Sequence, residues 1–141
     1  MKLFFICFLL CIASVSASGQ NHYISSSSKD STWLYVSMST NGDVYYIRKK
    51  PVKKTSESIR VWTKNYWSEK EIDNKKFEEG FTLILWDFFC EEAKVKTLAV
   101  LDYGSNGDVI SKVETDDILA KSSYVVPGSI AESLMEAACE L

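Results

Sequence analysis

The sequence predicts an α+β domain, in which an antiparallel sheet of about six strands carries one C-terminal helix that is disulfide-linked to it. Three observations support this class. Two Asn-Gly turns separate strand-like runs, a helical pattern follows Pro127-Gly128, and a cysteine lies on each of the elements to be joined, Cys90 on a strand and Cys139 on the helix. Turn-bounded strands followed by one helix are typical of such a layered domain.

The strands are predicted from turns and from aromatic and β-branched runs. Asn-Gly-Asp-Val occurs at 41–44 and at 106–109, and Asn-Gly favours a hairpin in which both central residues have positive φ. Neither turn continues with calcium-loop spacing, so turn chemistry is favoured over calcium binding. The charged segment Glu69–Glu79 is interpreted as a loop or a frayed helical turn. The predicted strands are Trp33–Met38 paired with Asp43–Lys49, then Ser58–Trp67, Phe81–Cys90, and Val95–Tyr103 paired with Val109–Val113.

The helix is predicted over Ser129–Leu141. Ser129 and Glu132 fit a capping box, in which each side chain satisfies a backbone N–H at the helix start. Ile130, Leu134 and Ala138 recur at helical spacing and form an apolar stripe that must pack on something apolar.

The strand that ends at Cys90 indicates where the helix packs. Alternate residues of a strand share a face, so Trp86 and Phe88 lie on the same side as Cys90 and are expected beneath the helix. The opposite side is also largely apolar, with Leu83, Leu85 and Phe89. One helix cannot cover both sides, so the second face is predicted to meet curled-over strands, the N-terminal leader or another subunit.

The N-terminus predicts export. Lys2 is followed by a short apolar run and then by small residues, which is the pattern of a signal peptide at 1–17 cleaved after Ala17. A flexible polar leader at 18–31 and the domain at 32–141 follow, with no transmembrane segment. Bulky residues precede Cys7 and Cys11, so lipid modification is not expected. Periplasm and cell surface are both consistent with this signal.

Signal cleavage leaves Cys90 and Cys139, and an even pair in an exported chain predicts a disulfide. Two free thiols or half of a metal site are the alternatives, although His22 is the only histidine. The chain has 16 basic and 19 acidic residues, a net charge of −3 that becomes −4 without Lys2. This mild acidity argues against nucleic-acid binding.

No arrangement of residues predicts an enzyme, a metal site or a cofactor. Nucleophile motifs, phosphate-binding glycine loops and zinc spacings are lacking. His22 lies in the polar leader. Asp87 and Asp102 fall on adjacent predicted strands and could form a carboxylate pair for acid–base chemistry, but edge or surface positions explain them equally well.

Two groups of residues are candidates for binding. A basic segment could hold an anionic partner such as a sulfated glycan, an acidic lipid headgroup or an acidic protein patch; alternatively it is a solvated loop with Pro51 protecting a sheet edge. A mixed cationic and aromatic strand face resembles interface hot spots, or else covers its own sheet with long side chains. The candidates are Arg48, Lys49, Lys50, Lys53 and Lys54 of the segment, and Arg60, Trp62, Lys64 and Tyr66 of the face.

One set of residues and motifs runs through most of the predicted domain: Trp33, Val44-Tyr45-Tyr46-Ile47, Val61-Trp62, Cys90, the Gly107 turn, and Val126-Pro127-Gly128-Ser129 leading to Cys139. In these residues the chain resembles the surface-adhesin protein E domain of Gram-negative bacteria. The resemblance implies a small antiparallel sheet with a C-terminal helix held by a Cys90–Cys139 bond, adhesion to host extracellular-matrix proteins, and dimers. The chain departs from the family at Tyr124, where a tryptophan is usual, and between Asn65 and Glu79.

These observations predict an exported, non-catalytic binding module that is an adhesin for host matrix proteins. The alternative is a periplasmic structural or envelope-stress protein without a host ligand. A family label names one activity among several that a fold can host, so the residues must decide between them.

Overall fold

The computed structural model describes residues 32–141. The predicted signal peptide at 1–17 and leader at 18–31, including His22, lie outside the described residues.

The described residues form one antiparallel sheet of eight strands and one helix. Six strands follow one another in the order β1-β2-β4-β5-β6-β7, while short β3 pairs with β4 and short β8 pairs with β6. The sequential six-stranded sheet is therefore confirmed, but a single ten-residue helix makes the domain mostly β rather than α+β. The elements are β1 Trp33–Met38, β2 Val44–Arg48, β3 Lys53–Lys54, β4 Ile59–Ile72, β5 Lys75–Phe89, β6 Lys94–Gly104, β7 Val109–Glu114, β8 Ser122–Tyr124 and α1 Ile130–Cys139.

The prediction of a loop or a frayed helical turn at Glu69–Glu79 is wrong, because β4 and β5 continue through this segment as a long hairpin. Asp73 and Asn74 have φ of 51° and 61° and form the two-residue connection that matches strand twist. Lys76 pairs with Glu69 across the hairpin at 3.2 Å. Charged side chains are compatible with these strands because most of them are exposed at this projecting end.

The Asn-Gly hairpins are confirmed, but their turn type differs from the prediction. Only the glycines have positive φ, at 89° for Gly42 and 83° for Gly107. Gly42 N–H donates to the Ser39 carbonyl, and Ser39 N–H donates to the Asp43 carbonyl. This is a three-residue loop that ends in a left-handed glycine.

The core lies between one face of the sheet and α1. Phe88, Ile47 and Val61 are fully buried there, and they form one cluster with Leu134 and Ala138 of the helix. Trp86 packs against the same cluster, so the helix covers the face of β5 that its alternation predicted. We call this side of the sheet the helix face.

The predicted disulfide is present and joins Cys90 to Cys139, with 6.1 Å between their Cα atoms. At the other end of α1, the Ser129 hydroxyl accepts from Glu132 N–H at 3.3 Å. The Glu132 carboxylate accepts from Gly128 N–H at 2.7 Å, one residue earlier than a capping box requires. The two side chains thus each accept a hydrogen bond from a backbone N–H at the start of the helix.

Candidate binding face of the sheet

The four candidate residues of β4 share one face of the sheet, as the alternation predicted, and this face lies opposite α1. They are register partners of β5 residues, since Trp62 lies opposite Leu85, Lys64 opposite Leu83 and Tyr66 opposite Phe81. Neither a second helix nor a second sheet packs over this side among residues 32–141. We call it the aromatic face.

Five rings cross the aromatic face, one from each of β1, β2, β4, β5 and β6. The centroid distances are 5.9 Å for Tyr35–Tyr46, Tyr46–Tyr66 and Tyr66–Phe81, and 4.6 Å for Phe81–Tyr103. The last pair is stacked, while the first two meet edge to face, and such pairs contribute about 0.5–1.5 kcal/mol each beyond the area they bury. This aromatic row ties the strands together and leaves two of its tyrosines exposed: Tyr35 is 55% exposed and Tyr66 41% exposed.

Lys64 places a cation among the rings. Its Nζ lies 4.4 Å from the centroid of the Trp33 ring, 5.6 Å from that of Tyr66 and 5.5 Å from that of Phe81. All three distances lie within the range of cation–π attraction. The aromatic face therefore combines apolar surface with a positive charge held in a defined position.

Arg60 forms an ion cluster at the end of the aromatic face. Its guanidinium donates to both carboxylate oxygens of Asp87, at 3.3 and 2.6 Å, and to Asp117 at 2.6 Å. Lys96 also pairs with Asp117, at 3.2 Å. Asp87 is only 4% exposed, so this bidentate contact compensates a buried charge.

The ion cluster shifts the pKa of two of its members. The hydrogen bond from Arg60, then that from Lys96, lowers the pKa of the exposed Asp117 carboxyl. The hydrogen bond to Asp87, followed by that to Asp117, raises the pKa of Arg60. Arg60 therefore also has a structural role, which is to neutralise the buried Asp87; the pattern of residues along β4 does not predict it.

The basic segment adjoins this cluster. Arg48 ends β2, and the chain then turns into β3, where Lys53 is the register partner of Arg60 and Lys54 that of Ile59. Val52 N–H donates to the Arg60 carbonyl at 2.7 Å. All five candidate cations, Arg48, Lys49, Lys50, Lys53 and Lys54, are exposed. The basic segment therefore lies at the Arg60 end of β4, and the aromatic row lies farther along the same strand. Lys53 shares a face with Arg60, whereas Lys54 shares the opposite face with Ile59.

The two aspartates considered for acid–base chemistry do not meet. Asp87 faces Arg60 on the aromatic face, whereas Asp102 lies on the helix face, where Lys70 and the Thr82 hydroxyl each donate to it at 2.5 Å. Trp67 in turn donates its indole N–H to Thr82 at 3.1 Å. Each carboxylate is neutralised by its own cation, so the pair cannot share a proton.

Other acidic groups do not assemble into a metal site within the described part of the chain. A shallow depression near the projecting hairpin is lined by Ser68, Glu69, Glu78, Glu79 and Ser105, all of them exposed. Residues 32–141 contain no cluster of His, Cys, Asp and Glu that could hold a metal ion.

The domain is thus one sheet with a helix on one face and an aromatic and cationic row of side chains on the other. A family model for surface-adhesin protein E matches residues 33–140, so the chain belongs to the surface-adhesin protein E family. Comparisons with curated proteins and with solved structures gave no significant match. Family membership supports an adhesin-like binding role. It also suggests a non-enzymatic protein and an exported or surface location. In the described region no helix has the length and apolar character needed to cross a membrane.

Proposed function

We propose that the protein is an exported, non-catalytic adhesin that binds a host extracellular-matrix protein through the aromatic face and the basic segment. The observation that carries this proposal is the aromatic row, with Lys64 among its rings, on the side of the sheet that α1 leaves uncovered. Aromatic and arginine side chains dominate the binding energy of protein interfaces. The family supports the same class of function.

The two groups of residues have different tasks in this proposal. Tyr35 and Tyr66 offer rigid, partly apolar area that a partner buries, which lengthens the lifetime of the complex. The five exposed cations of the basic segment attract an acidic patch or a sulfated glycan attached to the partner, which speeds encounter. Self-association of the aromatic face would give a homodimer as a further partner, and analytical ultracentrifugation of the purified protein tests it.

The alternative function is that of a periplasmic structural or envelope-stress protein. It is favoured by one sequence feature, the bulky Ile6 and Leu10 that precede Cys7 and Cys11 and remove the usual lipid tether for surface display.

A binding panel combined with cell fractionation distinguishes the two functions. The wild-type protein is expected at the cell surface and is expected to bind at least one immobilised matrix protein. A Tyr35→Ala/Tyr66→Ala variant should dissociate faster. Tyr124→Ala is the matched control, because Tyr124 is also exposed but lies outside the aromatic row, and it should bind as the wild type does. Absence of binding to the whole panel, with the protein confined to the soluble periplasmic fraction, would favour the alternative.

A further inference from the structure

The loop at 115–121 presents two adjacent aliphatic side chains to solvent. Ile118 is 92% exposed and Leu119 is 73% exposed. The loop is compact, because the backbone N–H groups of Leu119 and Ala120 both donate to the Asp116 carbonyl at 2.9 Å, and the Asp116 carboxylate accepts from Ile118 N–H at 2.9 Å. The two side chains therefore project from a hydrogen-bonded turn.

The ion cluster fixes this loop beside the basic segment. Asp117, next to Ile118, pairs with Arg60 at 2.6 Å and with Lys96 at 3.2 Å. Arg60 is itself the register partner of Lys53. The aliphatic tip and the basic segment therefore lie at the same end of the sheet.

This end of the sheet has a cluster of cations although the whole chain carries a net charge of −3. Six exposed cations there form no ion pair within the described residues. The exposed carboxylates at the same end include Glu57, Glu91, Glu92, Asp116 and Asp117, of which Glu92 and Asp117 pair with Lys94 and Lys96. Val52, also exposed, adds apolar surface inside the basic segment. The six are Arg48, Lys49, Lys50, Lys53, Lys54 and Lys121.

We propose that this end of the sheet docks on an anionic phospholipid surface, with Ile118 and Leu119 entering the boundary between headgroups and acyl chains and the six cations lying over the phosphates. Apolar insertion combined with a polybasic cluster is the chemistry of reversible membrane-surface binding. The hot spots of protein interfaces, in contrast, rarely use leucine. The proposal goes beyond the adhesin function, since it assigns a second ligand to the basic segment and a contact to the loop at 115–121, which the adhesin function does not use.

Vesicle cosedimentation tests the proposal. The purified protein should bind vesicles of mixed phosphatidylglycerol and phosphatidylcholine, bind phosphatidylcholine alone far more weakly, and be released by salt. Ile118→Ser/Leu119→Ser should lower affinity for the anionic vesicles by about tenfold or more. Glutamine at Lys49, Lys50, Lys53 and Lys54 should abolish the preference for anionic vesicles.

Val109→Ser/Val113→Ser is the matched control, because these exposed aliphatic side chains lie on β7, and it should bind vesicles as the wild type does. Circular dichroism and the urea midpoint show whether each variant is folded. No binding of wild type to anionic vesicles, or equal losses in the loop and control pairs, overturns the proposal. It is also overturned if the loop pair weakens binding to a matrix protein but not to vesicles. Tyr35→Ala/Tyr66→Ala should retain vesicle binding. Loss of matrix-protein binding with intact vesicle binding would therefore count against the adhesin function alone and not against membrane docking.

Discussion

The indole ring of Trp67 lies over Gly80, its register partner on the neighbouring strand. A β-carbon at position 80 would meet both the Trp67 ring and the Tyr103 carbonyl well inside van der Waals distance. Trp67 also donates to Thr82, whose hydroxyl donates to Asp102. The missing side chain at Gly80 thus lets Trp67 cover the polar cluster that holds a buried carboxylate on the helix face.

Gly80→Ala should therefore destabilise the domain by about 1–3 kcal/mol or more, because the contacts it meets are a packed ring and backbone. Gly42→Ala is the comparison. It meets no atom within 4 Å but has a φ of 89°, so only backbone strain of about 1–2 kcal/mol is expected. Urea unfolding measures both, and near-ultraviolet circular dichroism reports on Trp67. The packing of Trp67 over Gly80 would be contradicted if Gly42→Ala lost more stability than Gly80→Ala and if Gly80→Ala left the near-ultraviolet signal unchanged.

The disulfide should contribute a large share of the stability. Cys90 and Cys139 are 49 positions apart, and removing a bond of this kind from a small domain costs about 2–5 kcal/mol. Cys139→Ser should lower the denaturation midpoint and the far-ultraviolet helical signal while the sheet persists. Cys90→Ser, which removes the same link, should give a similar loss. An unchanged midpoint in either variant would show that α1 stays docked without the bond.

Arg60 should contribute to the stability of the domain, whatever it contributes to binding. Arg60→Ala leaves Asp87 buried without its bidentate partner, and breaking such a pair by removing one member costs about 3–5 kcal/mol. Thermal or urea unfolding checks this, with Arg48→Ala as the control, because Arg48 is exposed. Equal stability of the two variants would mean that the Arg60–Asp87 contact contributes little.

The ion cluster should respond to acid. Arg60 and Lys96 lower the pKa of Asp117 below the unfolded value of about 3.9. Its contribution to stability is therefore full above about pH 4 and is lost as the pH falls through the folded pKa. Carboxyl-carbon NMR titration should show the Asp117 pKa rising in Lys96→Gln and staying low in Lys94→Gln. An identical pKa in all three proteins would exclude the contact with Lys96 in solution.

The processing of the chain is a separate prediction from the sequence. Intact-mass analysis of the exported protein should show a chain that begins near Ser18 and is about 2 Da lighter than its reduced form, as one disulfide requires. A diacylglyceryl mass on Cys11, or two thiols that can be alkylated in the native protein, would contradict it.

Local patterns predicted the elements better than they predicted contacts between strands. The apolar stripe of Leu134 and Ala138, and the alternation of Trp86 and Phe88, fixed which face the helix covers, because both patterns are set by periodicity. The hairpin at Asp73-Asn74 was missed because the charges around it suggested a loop, whereas an exposed two-stranded ribbon tolerates charges. The positive φ that such a turn needs at both central residues was predicted for both members of each Asn-Gly pair, whereas only the glycines have it.

The candidate face could be predicted within β4 but not across the sheet. Alternation put Trp62, Lys64 and Tyr66 together, yet the aromatic row depends on register with other strands. A single sequence does not reveal register shifts. One such shift lies in β1 between Tyr35 and Ser37, and another lies in β6 opposite Leu85 and Trp86. The same limit hid the pairing of Arg60 with Asp87 and Asp117, residues that lie 27 and 57 positions away.

The most direct test of the adhesin function is surface plasmon resonance, across a salt series, on a matrix protein that the wild type binds. Neutralising Lys49, Lys50, Lys53 and Lys54 together should slow association and flatten its salt dependence. It should leave the thermal midpoint nearly unchanged, because exposed charges hold little of the fold. Tyr35→Ala/Tyr66→Ala should instead speed dissociation. Identical rate constants for the wild type and both variants would contradict the assignment of this surface and favour the periplasmic structural role.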